Sequence, residues 1–296
     1  MRASSSRTEI WDYVDLALLR LAKIRRRKLA EGEDPGAFYG EFFNENDVQI
    51  RSSGGDPRRR YLGEVLREAA WARMPPGASV LDVGCGAGDN LRYVLRDRAS
   101  FYGLEYAEAT ARVAQRILAG KADIRSGSAT DLRFEDDTFD LVLCIEVLEH
   151  IADAEKACSE IARVMKNRGA LILSLPFRRW FPAYFRLMGH FRHYTRSDVE
   201  ELLRRHGLAV IQHLPNFPRW SRFANYVYVL CRMYALLLRL FGMRRSPAEV
   251  RLPFARRAVM DILFSGIDGI RRSERSLDYA ALETSTFVVA CKVRVP

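Results

Sequence analysis

Three glycines at alternate positions, Gly84, Gly86 and Gly88, follow directly on the apolar run Val80-Leu81-Asp82-Val83. Asp89 and Asn90 then open a stretch that reads as a helix. A buried strand feeding a glycine turn and a helix N-terminus is a cradle for a small ligand. The glycines let the backbone turn sharply and let a ligand approach where a Cβ would collide. Few folds accept such a junction, and the rest of the chain can be placed by its distance from it.

After the turn the chain alternates strand and helix. Strands are predicted at Ser79–Val83, Ser100–Leu104, Ala122–Arg125, Phe139–Ile145, Ala170–Leu175, Leu208–His213 and Thr286–Val293. Helices are predicted near Asp89–Asp97, Ala107–Ala119, Asp153–Lys166 and Ser197–His206. This rhythm predicts an α/β fold, a parallel sheet with helices on both faces and the ligand at the carboxyl ends of the first strands. Ahead of it, Ile10 to Ala30 and Tyr61 to Arg73 carry apolar residues at helical spacing, separated by the loop Ser52–Pro57. The expected organisation is a helical extension (1–60), a core (61–214), a helical insertion (215–285) and a final core strand (286–296). The insertion is read as helical because structureless connections rarely exceed about 15 residues.

With 48% hydrophobic residues among 296, the chain can bury a core, which excludes global disorder. The net charge is +10 and comes mostly from arginine, since only six lysines are present. Such an excess points to anionic partners or to a solubilising surface. The five cysteines are scattered without a C-x-x-C pair, which suits reduced thiols and a cytoplasmic setting. The N-terminus is polar and its apolar positions are periodic, so no signal peptide is read there.

The glycine spacing is G-x-G-x-G, one residue short of the dinucleotide fingerprint G-x-G-x-x-G, which disfavours a nicotinamide dehydrogenase. Glu105 follows the second strand by the distance at which an acid accepts hydrogen bonds from ribose hydroxyls. These pieces resemble the class I S-adenosylmethionine-dependent methyltransferases, over about residues 60–214 and the last strand. LDVGCGAG (81–88), GLEYAE (103–108) and GSATDLRFEDDTFDLVLCIEVLEHI (127–151) carry the resemblance. It implies a Rossmann-like, seven-stranded, mostly parallel sheet with an antiparallel last strand, and S-adenosylmethionine as cofactor. The cofactor residues it implies are Asp82, Gly84, Cys85, Gly86, Gly88, Glu105, Tyr106, Ser128, Ala129, Asp131 and Ile145. Many relatives place an Asp where this chain has Ser128; either Ser128 or Asp131 then meets the adenine amine.

Past the fourth strand, Glu146-Val147-Leu148-Glu149-His150 puts two carboxylates and an imidazole on one face if the run is helical. His190 and His193 follow in GHFRHYTRSDV. The combination resembles ubiquinone-pathway O-methyltransferases and small-RNA 2′-O-methyltransferases, which hold a divalent cation with E-x-x-E-H and a later histidine. The ligands so implied are Glu146, Glu149, His150 and His190, for Mg²⁺, Mn²⁺ or Zn²⁺. The same run also occurs in methyltransferases without a metal, where His150 acts as a base or lines the pocket. His150, His193 and Glu149 are therefore the catalytic candidates.

Residues 223–241, FANYVYVLCRMYALLLRLF, are the most apolar stretch, interrupted by Arg232 and Arg239 on one helical stripe. The pattern fits a helix lying in a membrane interface, or one docked on the protein's own apolar face or on a dimer partner. The expected function is methylation of an oxygen on a hydrophobic, lipid-linked, glycan or quinone-type small molecule, by an enzyme peripheral to the inner face of the membrane. The alternatives are an RNA 2′-O-methyltransferase, disfavoured because the basic residues are spread along the chain, and a non-catalytic cofactor-binding partner protein.

Overall fold

The computed structural model describes residues 57–175, 190–215 and 286–293. The expected helix over 10–30, most of the aromatic stretch 176–194 and the apolar stretch 223–241 lie outside them.

The described residues begin with helix α1 (Pro57–Trp71), whose first position suits proline because that N–H has no helical partner. Then come β1 (Ser79–Val83), α2 (Asp89–Val94), β2 (Ser100–Glu105), α3 (Glu108–Leu118), β3 (Asp123–Ser126) and β4 (Phe139–Ile145). A 3₁₀ turn (Leu148–His150) leads to α4 (Ala154–Val164), β5 (Met165–Leu175), α5 (Arg196–Arg205), β6 (Leu208–Pro215) and β7 (Thr286–Lys292).

One seven-stranded sheet has the order β3-β2-β1-β4-β5-β7-β6. Strands β1 to β5 pair in parallel, and β7 runs antiparallel to both β5 and β6. This is the Rossmann-like class I methyltransferase fold expected above. The chain order reverses direction between β1 and β4, so the crevice lies at their carboxyl ends.

Strand residues alternate between two cores. Leu81, Val83, Val142, Cys144, Leu171 and Leu173 face one, with α4 and α5 supplying Ala157, Cys158, Ile161, Val199 and Leu202. Val80, Leu141, Leu143 and Ile172 face the other, against Val65 and Leu66 of α1, Leu91 and Val94 of α2, and Ala111 and Ala114 of α3. Period-two burial on both faces is why these strands read as continuous apolar runs.

Among the differences from the sequence expectation, three bear on the course of the chain near the site. Helix α2 stops at Val94 instead of running to Asp97, because Leu95 is extended and the Trp71 indole N–H caps the Val94 carbonyl at 3.0 Å. Helix α4 ends at Val164 instead of Lys166: Met165 already pairs with Phe139 of β4, and Lys166 bonds to Asp140 at 2.8 Å. Most consequentially, residues 146–150 are not one helical turn. Glu146 is left-handed at φ 58°, and only Leu148–His150 form a short 3₁₀ turn.

Candidate active site

The glycine turn lies where β1 meets β2. Gly84 N–H and Cys85 N–H both donate to the Leu104 carbonyl, at 2.7 and 3.0 Å. Gly84 has φ 71°, and a Cβ there would lie 2.5 Å from Cγ2 of Val147. The turn after β4 thus rests directly on the turn after β1. A Cβ at Gly86 would meet nothing within 4 Å, so the backbone there borders open space.

Two carboxylates flank this space. Glu105 accepts from Gly86 N–H at 2.9 Å and from Ala107 N–H at 3.0 Å. Burial raises its pKa, against the pull of those amides. Asp82 is fully buried, and no hydrogen bond of ordinary geometry reaches either oxygen. Burial pushes its carboxyl up to about 8, the Asn90 amide pulling it back and the Glu105 charge adding to the rise. A buried acid left without a close partner fits a cationic ligand group, as an amino acid ammonium would supply. The residues present therefore fit S-adenosylmethionine, with its ammonium, its sulfonium and its ribose. Cys85 is buried and Tyr106 exposed at this rim.

The loop after β3 holds the other candidates. Ser128 Oγ lies 2.7 Å from Thr130 Oγ1 and accepts from Thr130 N–H at 3.2 Å. Asp131 is exposed and paired with Arg133 at 3.4 Å. Both groups proposed for the adenine amine thus already have local partners.

What fixes this loop was not read from the sequence. Arg163 of α4 donates to the carbonyls of Leu132 (2.7 Å) and Phe134 (2.8 Å) and to Asp136 (2.7 Å). It also bonds twice to Glu160, which accepts from Leu132 N–H at 2.9 Å. The Arg163 bond holds the Glu160 carboxyl below its ordinary range. Replacing Arg163 with Ala strands two carbonyls and a nearly buried carboxylate. The expected cost is about 2–3 kcal/mol in urea unfolding, with weaker S-adenosylhomocysteine binding, because the loop after β3 loses its anchor. An unchanged unfolding midpoint would refute that role.

Beyond Val147 lies the second group of side chains. Ligand atoms of Glu149, His150 and His190 all come within 4.8 Å of one another. The His150 and His190 rings are 4.5 Å apart and edge-on; His190 and His193 are 5.5 Å apart. Phe191 N–H donates to the Glu149 carbonyl at 2.7 Å and ties the histidine segment to this turn. Thr195 and Asp198 then cap α5 reciprocally, which fixes where that segment ends.

The electrostatics are unusual. Glu149 is 1% exposed, and neither carboxylate oxygen has a hydrogen-bond partner. Burial, then the neighbouring Glu146, raise its pKa well above the ordinary carboxyl value. Burial, then His150 and His193, lower His190 to about 3, so its imidazole is neutral at pH 7. A buried orphan carboxylate beside a neutral imidazole fits a divalent cation. Glu146 stands apart: it is exposed, and its carboxylate accepts from Ser174 Oγ at 2.6 Å. Ile145, proposed for the cofactor, is half-buried at the end of β4. Tyr194, missed in the sequence, is buried beside this group; burial first pushes its hydroxyl up to about 12.

Fold, glycine turn and the acid after β2 together resemble those of the class I S-adenosylmethionine-dependent methyltransferases. Residues 81–173 match the family model described as a methyltransferase domain. The chain is 32% identical over 145 residues to tocopherol O-methyltransferase of Arabidopsis thaliana, a match covering 46% of this chain and 42% of that protein. To the ubiquinone biosynthesis O-methyltransferase of Xanthomonas axonopodis it is 37% identical over 131 residues, covering 43% and 54%. The chain thus spans about half the length of the curated relatives it matches. Among solved structures, CurJ carbon methyltransferase superposes with TM-score 0.52 at 14% identity, covering 96% of this chain and 69% of that one. Phosphoethanolamine N-methyltransferase 2 of Haemonchus contortus, in complex with S-adenosyl-L-methionine, superposes with TM-score 0.50 at 17% identity, covering 77% and 53%. These two share the fold.

Proposed function

We propose that the protein moves the methyl group of S-adenosylmethionine to an oxygen of a hydrophobic or lipid-linked small molecule. The observation that carries this reading is the Glu149–His150–His190–His193 group standing across Val147 from the glycine turn. The sulfonium is already activated, so the site gains most by holding oxygen, methyl carbon and sulfur in line. As the oxygen attacks the methyl carbon, the carbon–sulfur bond breaks and S-adenosylhomocysteine leaves neutral. The hydroxyl proton must go to the protein. His190, with its value near 3, is too weak a base at pH 7; His150 or His193 takes that role.

Glu149, His150 and His190 would hold a divalent cation, and Glu146 is not among the side chains that come together there. Such a cation would supply Lewis-acid chemistry, making an acceptor hydroxyl easier to deprotonate. Because Glu149 must lose a proton to ligate, Mn²⁺ affinity is expected to rise with pH between 6 and 8. Affinity that is flat over that range, or activity indifferent to EDTA, removes the ion from the reading.

The curated relatives named above are a tocopherol O-methyltransferase and a ubiquinone biosynthesis O-methyltransferase, which supports transfer to an oxygen of a greasy acceptor. The same reading places the enzyme in the cytoplasm, against an anionic membrane through the apolar stretch 223–241. Among the described residues no helix is long and apolar enough to cross a membrane. The test uses methyl-labelled S-adenosylmethionine with the full chain, a membrane-lipid extract, a catechol probe and a short RNA. Label that partitions into organic solvent and survives mild base, as an ether does, is the expected result. Label on RNA would select the 2′-O-methyltransferase reading. Binding of S-adenosylhomocysteine without transfer to any of the three would select a non-catalytic role.

A further inference from the structure

The histidine segment divides its side chains between the protein and the solvent. His190 and His193 are half-buried, and Tyr194 is 4% exposed. Phe191 and Arg192, between the two histidines, are exposed. Phe191 leaves 49% of its surface open, yet its backbone is fixed, because its N–H donates to the Glu149 carbonyl at 2.7 Å. A large apolar side chain is thus held at the rim of the Glu149–His150–His190 group. Covering its ring with an apolar ligand group is favourable in proportion to the area taken from water.

Arg192 is held beside it. Its guanidinium carbon lies 5.9 Å from the centre of the Tyr194 ring, where the face of the ring attracts a cation. Burial raises the Tyr194 hydroxyl pKa most; the Arg192 charge lowers it, and Cys158 and Glu149 raise it. The guanidinium and the Glu149 carboxylate therefore act on one phenol, which puts the cation within electrostatic reach of the site. On the helix that follows, Arg196, Arg204 and Arg205 pair with Glu200, Glu201 and Glu155. Among the described residues no carboxylate pairs with Arg192 in this way. Its planar fork suits a phosphate or carboxylate, which can accept two parallel bonds.

We propose that Phe191 and Arg192 are specificity-determining residues that select an anionic amphiphile as the acceptor. Phe191 meets its apolar part, and Arg192 a phosphate or carboxylate near the hydroxyl to be methylated. The proposal rests on the methyl-transfer reading above and narrows its substrate class from greasy to greasy and anionic.

The test is calorimetric titration of the full chain with S-adenosylhomocysteine bound. The probes are octyl phosphate and octyl glucoside, both kept monomeric, and inorganic phosphate. Octyl phosphate is expected to bind once per chain, about tenfold tighter than either of the others. Arg192→Gln should weaken it about 10–30-fold, the scale of a charge-assisted pair of bonds, and Arg192→Lys by less. Phe191→Ala should weaken octyl phosphate and octyl glucoside alike, about 5–10-fold, and leave inorganic phosphate unchanged. S-adenosylhomocysteine affinity should stay within about twofold in every variant, since the pair is separate from the cofactor turn. Octyl glucoside or inorganic phosphate binding as tightly as octyl phosphate overturns the proposal, as does octyl phosphate binding that either Arg192→Gln or Phe191→Ala leaves unchanged. Phosphatidylglycerol vesicles are the last arm: vesicle binding that needs Arg192, with no binding of the monomer, assigns the pair to a membrane surface and also overturns it. Methyl transfer to the lipid extract or the catechol is read separately, so those results leave the methyl-transfer reading standing. Octyl phosphate binding as expected, with no transfer to any acceptor, overturns that reading and the acceptor role of the pair with it.

Discussion

Asp82→Asn is expected to stabilise the ligand-free protein at pH 8 while weakening S-adenosylhomocysteine binding by about 10–100-fold. Folded, Asp82 keeps its proton up to about pH 8; unfolded, it loses it near the ordinary carboxyl value. Between those limits the folded state binds more protons, so stability falls as pH rises. At about 1.4 kcal/mol per pH unit the full effect is at most about 6 kcal/mol. An asparagine carries no proton to lose, and that slope disappears. A bound ammonium would instead favour the ionised acid. Ligand affinity in the natural protein should therefore rise between pH 6 and 8 with proton release, and be flat in the variant. Urea unfolding at pH 5, 6.5 and 8, with calorimetry in buffers of different ionisation enthalpy, reads both effects. Identical pH slopes for variant and natural protein would show that Asp82 is not the group responsible.

Gly84→Ala should be the most damaging single methyl in the chain. The backbone sits at φ 71°, which costs an alanine about 1–2 kcal/mol, and the new Cβ falls 2.5 Å from Val147. Val147 has no flexible end to swing away, so the clash moves backbone, and about 2–4 kcal/mol of stability should go. Cofactor binding should fall below detection, because the displaced turn carries Gly86 N–H and its contact with Glu105. Val147→Ala in the same chain removes the collision but not the unfavourable φ. It should recover part of the stability and little of the binding. Full recovery would mean that the backbone conformation is unstrained for alanine.

Much of the architecture was legible because its signals are local. Strands β1 and β4 announce themselves as apolar runs, and the glycine turn by spacing, so cofactor-side residues could be named in advance. The turn after β4 misled, because Glu-Val-Leu-Glu-His has good helix formers at helical spacing. Glu146 is left-handed and bonded to the serine on the neighbouring strand, a relation between distant positions that no local pattern shows. Ser174 itself lies in the apolar run ALILSL (170–175), where a lone hydroxyl carries no signal. Arg163 looked like one more surface arginine on an amphipathic helix; its four acceptors are all distant in sequence or one turn away. Tyr194 read as part of a basic aromatic stretch and is instead core. The acceptor atom is not legible at all, since proteins sharing this fold are named for methylation at carbon and at nitrogen.

The placement of β7 has a consequence for how the chain is made. It lies between β5 and β6, although residues 216–285, 70 of them, separate β6 from β7 in sequence. On the ribosome, β1 to β5 can assemble as they emerge, but β6 then has no partner strand among the described residues. At about 5–20 residues per second, it waits roughly 4–14 s for its partner. Through that interval the β5 edge, carrying Leu171, Ile172 and Leu173, stays open to any passing strand. The sheet is then completed by the insertion of one antiparallel strand into a waiting slot, and Lys292 secures it with bonds of 2.7 Å to both Asp137 and the Met165 carbonyl.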